Sequence, residues 1–565
     1  MRFMIKKRYI PLLIPVFIAS TALAQQNPST QVYRTYHTAI DLMSKGKYAS
    51  AAEQFRLLEA TRLKTTNQPK FESDLSLVKE NSQYYEAFCA LNLNNDDAES
   101  MFQRFIKEHP ENPLTKLAYF QIGKSYFKQG NYEKSIEWFD KVQAGDLNGH
   151  DNTEYKFRKG YAYFSLGNYK EAQMLFAEVK AKKTEFTEDA TYYFAYIAYL
   201  NKDYHLALVN FERLKNSKKY ENSYPYYISA VYFLDKRYND VISYAVPIVN
   251  NTHQQNETEM LRIIAASYFA KADFDNAVKY YGRFQDRDQG RTQNTQDSYQ
   301  IGYTLYKVGN YGQAASELEK LVEQKDVYSQ SGNYTLGDVF LKMNNKQSAR
   351  NAFLNASKLN YDKQLQEDAL YEYAKLSYEL DFNTEALAAT RLYLKNYPRS
   401  RRIDEMKVLL GEELLNSRNY KEAVEILEPI PNKSQSAQIA YQKVTYYRGL
   451  EFYNERAFEN AIGIFLRSLK NPIDPKTAAL TTYWMAEAMY EVRKYDESVE
   501  TFERFLDMPE AKETEVANYA NYAVGYAAFY GEQYKKAANY FEKFLAGDVK
   551  DESTQNDAVT RIGDS

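Results

Sequence analysis

One arrangement of apolar and polar positions recurs along the chain. It is plainest in YFQIGKSYFKQGNYEKSIEWFDKV (119–142), YKFRKGYAYFSLGNYKEAQMLFAEV (155–179) and SYQIGYTLYKVGNYGQAASELEKL (298–321). Each stretch has a small residue and an aromatic three or four places later. Gly-Asn-Tyr follows, then a small residue three further on and an apolar residue four beyond it. Apolar positions repeating every three or four residues on both sides of Gly-Asn-Tyr predict two amphipathic helices joined by a tight turn.

Position 20 is assigned to the small residue of the second helix. It falls at Ala51, Ala98, Ser135, Ala172, Ala207, Val241, Ala277, Ala314, Ala349, Ala386, Ala423, Ala461, Ser498 and Ala537. After a first gap of 47, the spacings run from 34 to 39 residues. Position 8, in the first helix, is Gly123, Gly160, Ala195, Ser229, Ala265, Gly302, Gly337, Ala374, Gly411, Gly449, Ala486 and Gly525 in the later units. Small side chains at both places let paired helices approach closely. Position 24 is usually a large apolar residue, among them Phe139, Phe176, Phe353, Phe465 and Phe541, expected to fill the space between helices. Prolines punctuate the units at Pro110, Pro113, Pro398, Pro429, Pro431, Pro472, Pro475 and Pro509. Pro247 falls inside a second helix and is expected to kink or end it.

This unit resembles the tetratricopeptide repeat, a helix–turn–helix of about 34 residues. The resemblance covers about residues 32–565. It implies an all-α, right-handed α–α superhelix (a solenoid) of about fourteen hairpins, with the first helices lining the concave side. The expected organisation begins with a signal peptide at 1–24 and a short linker at 25–31. N-terminal units at 32–115 follow, with an irregular connection near 60–79, then a continuous array at 116–555. Residues 556–565 read as the start of a further, incomplete repeat, because Gly563 falls at position 8 and the chain then stops.

The N-terminal reading rests on Arg2, Lys6, Lys7 and Arg8, an apolar stretch from Tyr9, and Ala22-Leu23-Ala24 before Gln25. It predicts export to the periplasm or the periplasmic face of the outer membrane. No integral membrane segment is expected after signal removal. No Cys follows the cleavage point, so lipid attachment there is not supported.

Composition narrows the function. The formal net charge of −3 argues against nucleic acid as partner, which needs a basic surface. The single Cys89 excludes an intramolecular disulfide framework and lies on an apolar helix face. There is no phosphate-cradling Gly-rich loop, His-Glu-x-x-His, Cys-x-x-Cys or Gly-x-Ser-x-Gly. The expectation is therefore a non-enzymatic chain without cofactor or metal. The notable surface chemistry is phenolic, with 54 Tyr. Tyr192, Tyr226, Tyr299, Tyr334, Tyr371, Tyr446, Tyr483 and Tyr522 all fall at position 5 and form the candidate partner-binding stripe. A phenol offers apolar area and a polar handle at low entropic cost.

The resemblance extends to exported coordinator and outer-membrane assembly proteins, through RFIKEHPENPLTKLAYFQIGKSYF (104–127) and YLKNYPRSRRIDEMKVLLGEELL (393–415). It implies a cell-envelope scaffold binding partner proteins or extended peptides. A glycan-binding array, or the interaction region of a longer protein with a separate effector domain, is the alternative. Some family members grip a chaperone's C-terminal carboxylate with an Asn at position 9. No position 9 here is Asn, so that partner is disfavoured.

Overall fold

The computed structural model describes residues 28–61, 69–143, 145–252, 254–547 and 551–565. The expected signal peptide lies outside them. Among the described residues the regular structure is helical: 29 α-helices and a 3-10 turn at Pro509–Glu513, with no strand. None of these helices is long and apolar enough to cross a membrane. The chain divides into two compact units, Met1–Ser267 and Tyr268–Ser565. The first unit contains six helical hairpins, from Pro28–Ser44 with Tyr48–Ala60 to Tyr224–Leu234 with Tyr238–Asn251. The second contains seven, from Thr295–Lys307 with Tyr311–Glu319 to Ala517–Tyr530 with Tyr534–Leu545.

Each hairpin closes because position 8 has no room for a larger side chain. A Cβ on Gly123 would stand 2.5 Å from the Phe139 ring, one on Gly337 2.6 Å from Phe353, and one on Gly525 2.6 Å from Phe541. Gly302 faces Leu318 and Gly411 faces Leu427, at 2.5 and 2.7 Å. Gly160 is looser, with Phe176 at 3.1 Å, and Gly449 faces Phe465. At each of these seven glycines position 8 therefore meets position 24. Position 20 sits alongside: Ala172, Ala314, Ala423, Ala461 and Ala537 are fully buried. Where position 20 is serine the hydroxyl bonds to position 8. Ser135 Oγ donates to the Gly123 carbonyl and Ser498 Oγ to the Ala486 carbonyl, both at 2.8 Å.

The Gly-Asn-Tyr turn has a division of labour. Gly130 takes a left-handed conformation (φ 78°) that glycine adopts without steric cost. Its neighbour Asn131 donates its N–H back to the Tyr126 carbonyl at 3.0 Å, closing the first helix. The Asn131 side chain then accepts from the Lys134 N–H and caps the second. The same left-handed turn occurs where no glycine stands, at Lys202, Lys236, Ala272, Asp381, Arg418, Arg456, Arg493 and Glu532. A residue with a Cβ loses roughly 1–2 kcal/mol in that conformation. Glycine's looser unfolded state offsets part of the relief. Lys202→Gly and Arg493→Gly should therefore each stabilise by about 0.5–1 kcal/mol. Gly167→Ala should destabilise by a similar amount. Both signs are read from the urea midpoint at unchanged slope; a lower midpoint for either glycine variant would refute the turn assignment.

The structure departs from the sequence reading in four places. The first helix begins at Pro28, inside the expected linker. The connection expected near 60–79 is largely helical, since Pro69–Asn92 occupies its second half. Helix Tyr238–Asn251 runs through Pro247 and four residues beyond it. At the C-terminal end, helix Glu552–Asp564 starts ahead of residue 556, capped by the Asp551 carboxylate on the Ser553 and Thr554 N–H groups. Nothing stands within 4 Å of a Cβ on Gly563, unlike the other position-8 glycines.

Candidate functional site

The first helices of successive hairpins meet ring to ring. In the first unit, Phe127 on Leu114–Lys128 lies 5.6 Å from Tyr161 on Gly149–Ser165. Tyr161 lies 5.1 Å from Tyr193 on Thr187–Leu200. Tyr196 and Tyr199 then stand 5.4 and 5.8 Å from Tyr227 on Tyr224–Leu234. Most of these are edge-to-face contacts, the arrangement that ring quadrupoles favour. The second unit repeats the device: Tyr453 lies 5.1 Å from Trp484, and Tyr490 lies 6.0 Å from Tyr530. Position 9 supplies many of the rungs (Tyr161, Tyr196, Tyr303, Tyr526). Position 9 is not part of the candidate stripe, whose eight tyrosines all fall at position 5. It lies four residues after position 5 and three before position 12, so helical spacing alone places it on the same face.

The position-5 stripe itself is unevenly placed. Tyr192, Tyr226, Tyr299, Tyr334 and Tyr522 are half-buried, whereas Tyr371, Tyr446 and Tyr483 are buried. Tyr192 is covered by Tyr220, stacked at 4.4 Å and 13°. The Tyr334 ring meets Phe353 at 5.3 Å and Tyr299 meets Phe269 at 6.4 Å. Tyr371 lies under the Arg402 guanidinium at 4.4 Å and donates its hydroxyl to Glu405 at 2.5 Å. Tyr483 donates to Glu487 at 2.6 Å and Tyr522 to Asp557 at 2.7 Å. Burial pushes the hydroxyls of Tyr226, Tyr299, Tyr334 and Tyr446 up to about 12. These phenols are neutral donors at physiological pH.

Carboxylates interleave with the rings. Burial raises the carboxyl pKa of Asp338, Glu372 and Glu487; nearby lysines oppose the shift at Asp338, and Lys375 and Arg402 oppose it at Glu372. His150, Asp151 and Glu154 could bring ligand atoms within 4.8 Å of one another. These groups are engaged elsewhere: Glu154 holds Lys124 at 2.9 Å and Arg158 at 2.7 Å, and His150 Nε2 meets Glu185 at 3.0 Å. Cys89 is buried, and burial pushes its thiol up to about 12, as an inert core residue requires.

One tetratricopeptide-repeat family model matches residues 92–149 and 334–401, and a second matches 153–180. These segments contain the position-8 glycines seated on position-24 rings at Gly123, Gly160 and Gly337. The matched segments are tetratricopeptide repeats. Proteins built of such repeats are generally non-enzymatic, and an array of this kind fits a protein–protein interaction scaffold. Solved structures similar to the chain at low identity include the following. The Cut9–Hcn1 hetero-tetramer of the APC/C shares 15% identity over 95% of this chain and 96% of that one, with a TM-score of 0.22. The C-terminal part of a repeat protein from Cytophaga hutchinsonii shares 16% over 46% of this chain and 99% of that one, with a TM-score of 0.30. A tetratricopeptide repeat protein from Parabacteroides merdae ATCC 43184 shares 16% over 48% and 98%, with a TM-score of 0.24. No curated protein matches the sequence.

Proposed function

We propose that this chain is a non-enzymatic scaffold of the bacterial cell envelope, exported by residues 1–24. In this reading it gathers partner proteins or extended peptides on the face formed by its first helices. The observation that carries the reading is the run of half-buried rings from helix to helix within each unit. Such a surface gives an extended chain apolar area at every repeat, while neutral phenol hydroxyls reach its backbone carbonyls. The mature chain, immobilised, should retain a defined set of proteins from envelope extract. Replacing the rungs Tyr161, Tyr196 and Tyr227 by alanine should remove at least one of them. Retention of no protein, with retention of the chain on a glycan column, would reverse the reading in favour of a carbohydrate-binding array.

A further inference from the structure

The second unit carries a place where aromatic rings and carboxylates meet without a cation between them. Trp484, Glu487 and Glu491 follow one another at single-turn spacing on helix Pro475–Glu491, so they share a face. Tyr453, from the preceding first helix Gln435–Asn454, stands beside them with its ring at 67° to the indole. Glu487 is half-buried and Glu491 exposed. The Glu487 and Glu491 charges both reach the Tyr453 hydroxyl and, after burial, are what push its pKa up. Glu487 is itself raised by burial and by Glu491, opposed only by the Tyr483 hydroxyl. Among the described residues neither carboxylate has a Lys or Arg partner, in contrast to Glu372, which Lys375 and Arg402 attend. Two like charges one turn apart repel, and a low-dielectric aromatic wall sharpens the repulsion. The arrangement is complementary to a flat cation. A guanidinium can fork across two carboxylates and lie against an indole or phenol face, which an ammonium does less well.

We propose that Tyr453, Trp484, Glu487 and Glu491 form a subsite for an arginine side chain of a bound polypeptide. The proposal rests on the scaffold reading and specifies the chemistry its partner must present there. Net negative charge on the chain favours the approach of a basic segment.

The chain contains two tryptophans, Trp138 and Trp484, so a Trp138→Phe background leaves the subsite indole as the sole reporter. The probes are acetyl-Gly-Arg-Gly-amide and the same peptide with citrulline, which keeps the shape and removes the charge. The arginine peptide should change Trp484 fluorescence saturably with a Kd on the order of 1 mM, the strength of a single anchored side chain. The citrulline peptide should bind about tenfold more weakly, as should the arginine peptide to Glu487→Gln/Glu491→Gln. Moderate salt should weaken the arginine response. An equal response to citrulline, or no saturable change at concentrations about tenfold above 1 mM, would overturn the proposal. Because the citrulline comparison uses unaltered carboxylates, it decides the matter even if the double variant folds poorly. Partner capture that persists in the double variant, with a silent indole, would sink the subsite and leave the scaffold standing. An indole response in a chain that captures no protein would sustain the subsite and remove the scaffold.

Discussion

Phe353→Ala should cost the second unit about 3–5 kcal/mol, the usual loss for a buried aromatic ring. Phe353 is fully buried, packs edge-to-face on Tyr334, and fills the space that Gly337 leaves open across the hairpin. The sharper test is the glycine opposite. In the native chain a Cβ at Gly337 would stand 2.6 Å from two ring carbons, so Gly337→Ala should destabilise by about 1–3 kcal/mol through overpacking. Once the ring is gone, that same methyl enters an empty space. Alanine also favours the helix over glycine by about 1 kcal/mol. Gly337→Ala should therefore become neutral or stabilising in the Phe353→Ala background. A double-mutant cycle in urea measures the coupling. Additive costs would show that the two positions do not face each other. Because each hairpin touches mainly its neighbours, amide protection should fall first around helices Val327–Lys342 and Lys346–Ser357.

Stability should fall as pH rises from about 4.5 towards 7, and Glu413 should be a principal cause. Its carboxyl is buried, and burial pushes its pKa from 4.5 up to about 7; Glu412 adds to the rise, while Thr390 and Arg391 oppose it. One oxygen accepts from Thr390 Oγ1 at 3.1 Å, and the other has no hydrogen-bond partner. Below pH 4.5 the group is protonated in folded and unfolded chains alike, and the native state carries no penalty. Between 4.5 and 7 only the unfolded chain ionises, so it is favoured progressively. Above 7 the folded carboxyl ionises too and the loss is complete. A shift of this size corresponds to about 3 kcal/mol. Glu413→Gln should flatten that part of the pH profile of the urea midpoint. A profile unchanged by the substitution would place the titration elsewhere.

The two effects differ in how visible they were before folding. The Gly337–Phe353 pair was legible, because a small residue and a ring sixteen places apart recur in unit after unit. The recurrence is steric: two helices cannot close unless one yields volume where the other fills it. The Glu413 penalty was not legible. Glu412 and Glu413 are adjacent, chemically identical side chains between Leu410 and Leu414, and nothing in the sequence separates them. One residue's rotation on the helix turns Glu413 towards Thr390 and away from water. The left-handed turns behave similarly. Gly130 and Gly167 announce theirs, while Lys202 and Arg493 adopt the same conformation because the helices on either side impose it.

The tyrosine stripe shows the same division. Helical spacing put eight position-5 rings on one face. Spacing could not tell that Arg402 and Glu405 would cover Tyr371, that Tyr220 would stack on Tyr192, or that Glu487 would take the Tyr483 hydroxyl. Sequence by itself determined the hairpin, its repeat and the face each ring occupies, since these depend on periodicity and side-chain volume within a few turns. Only the tertiary structure decided which rings stay half-open and which carboxylates stand without a cation. Those outcomes depend on what the neighbouring hairpin brings across the interface, and on the dielectric that its packing creates.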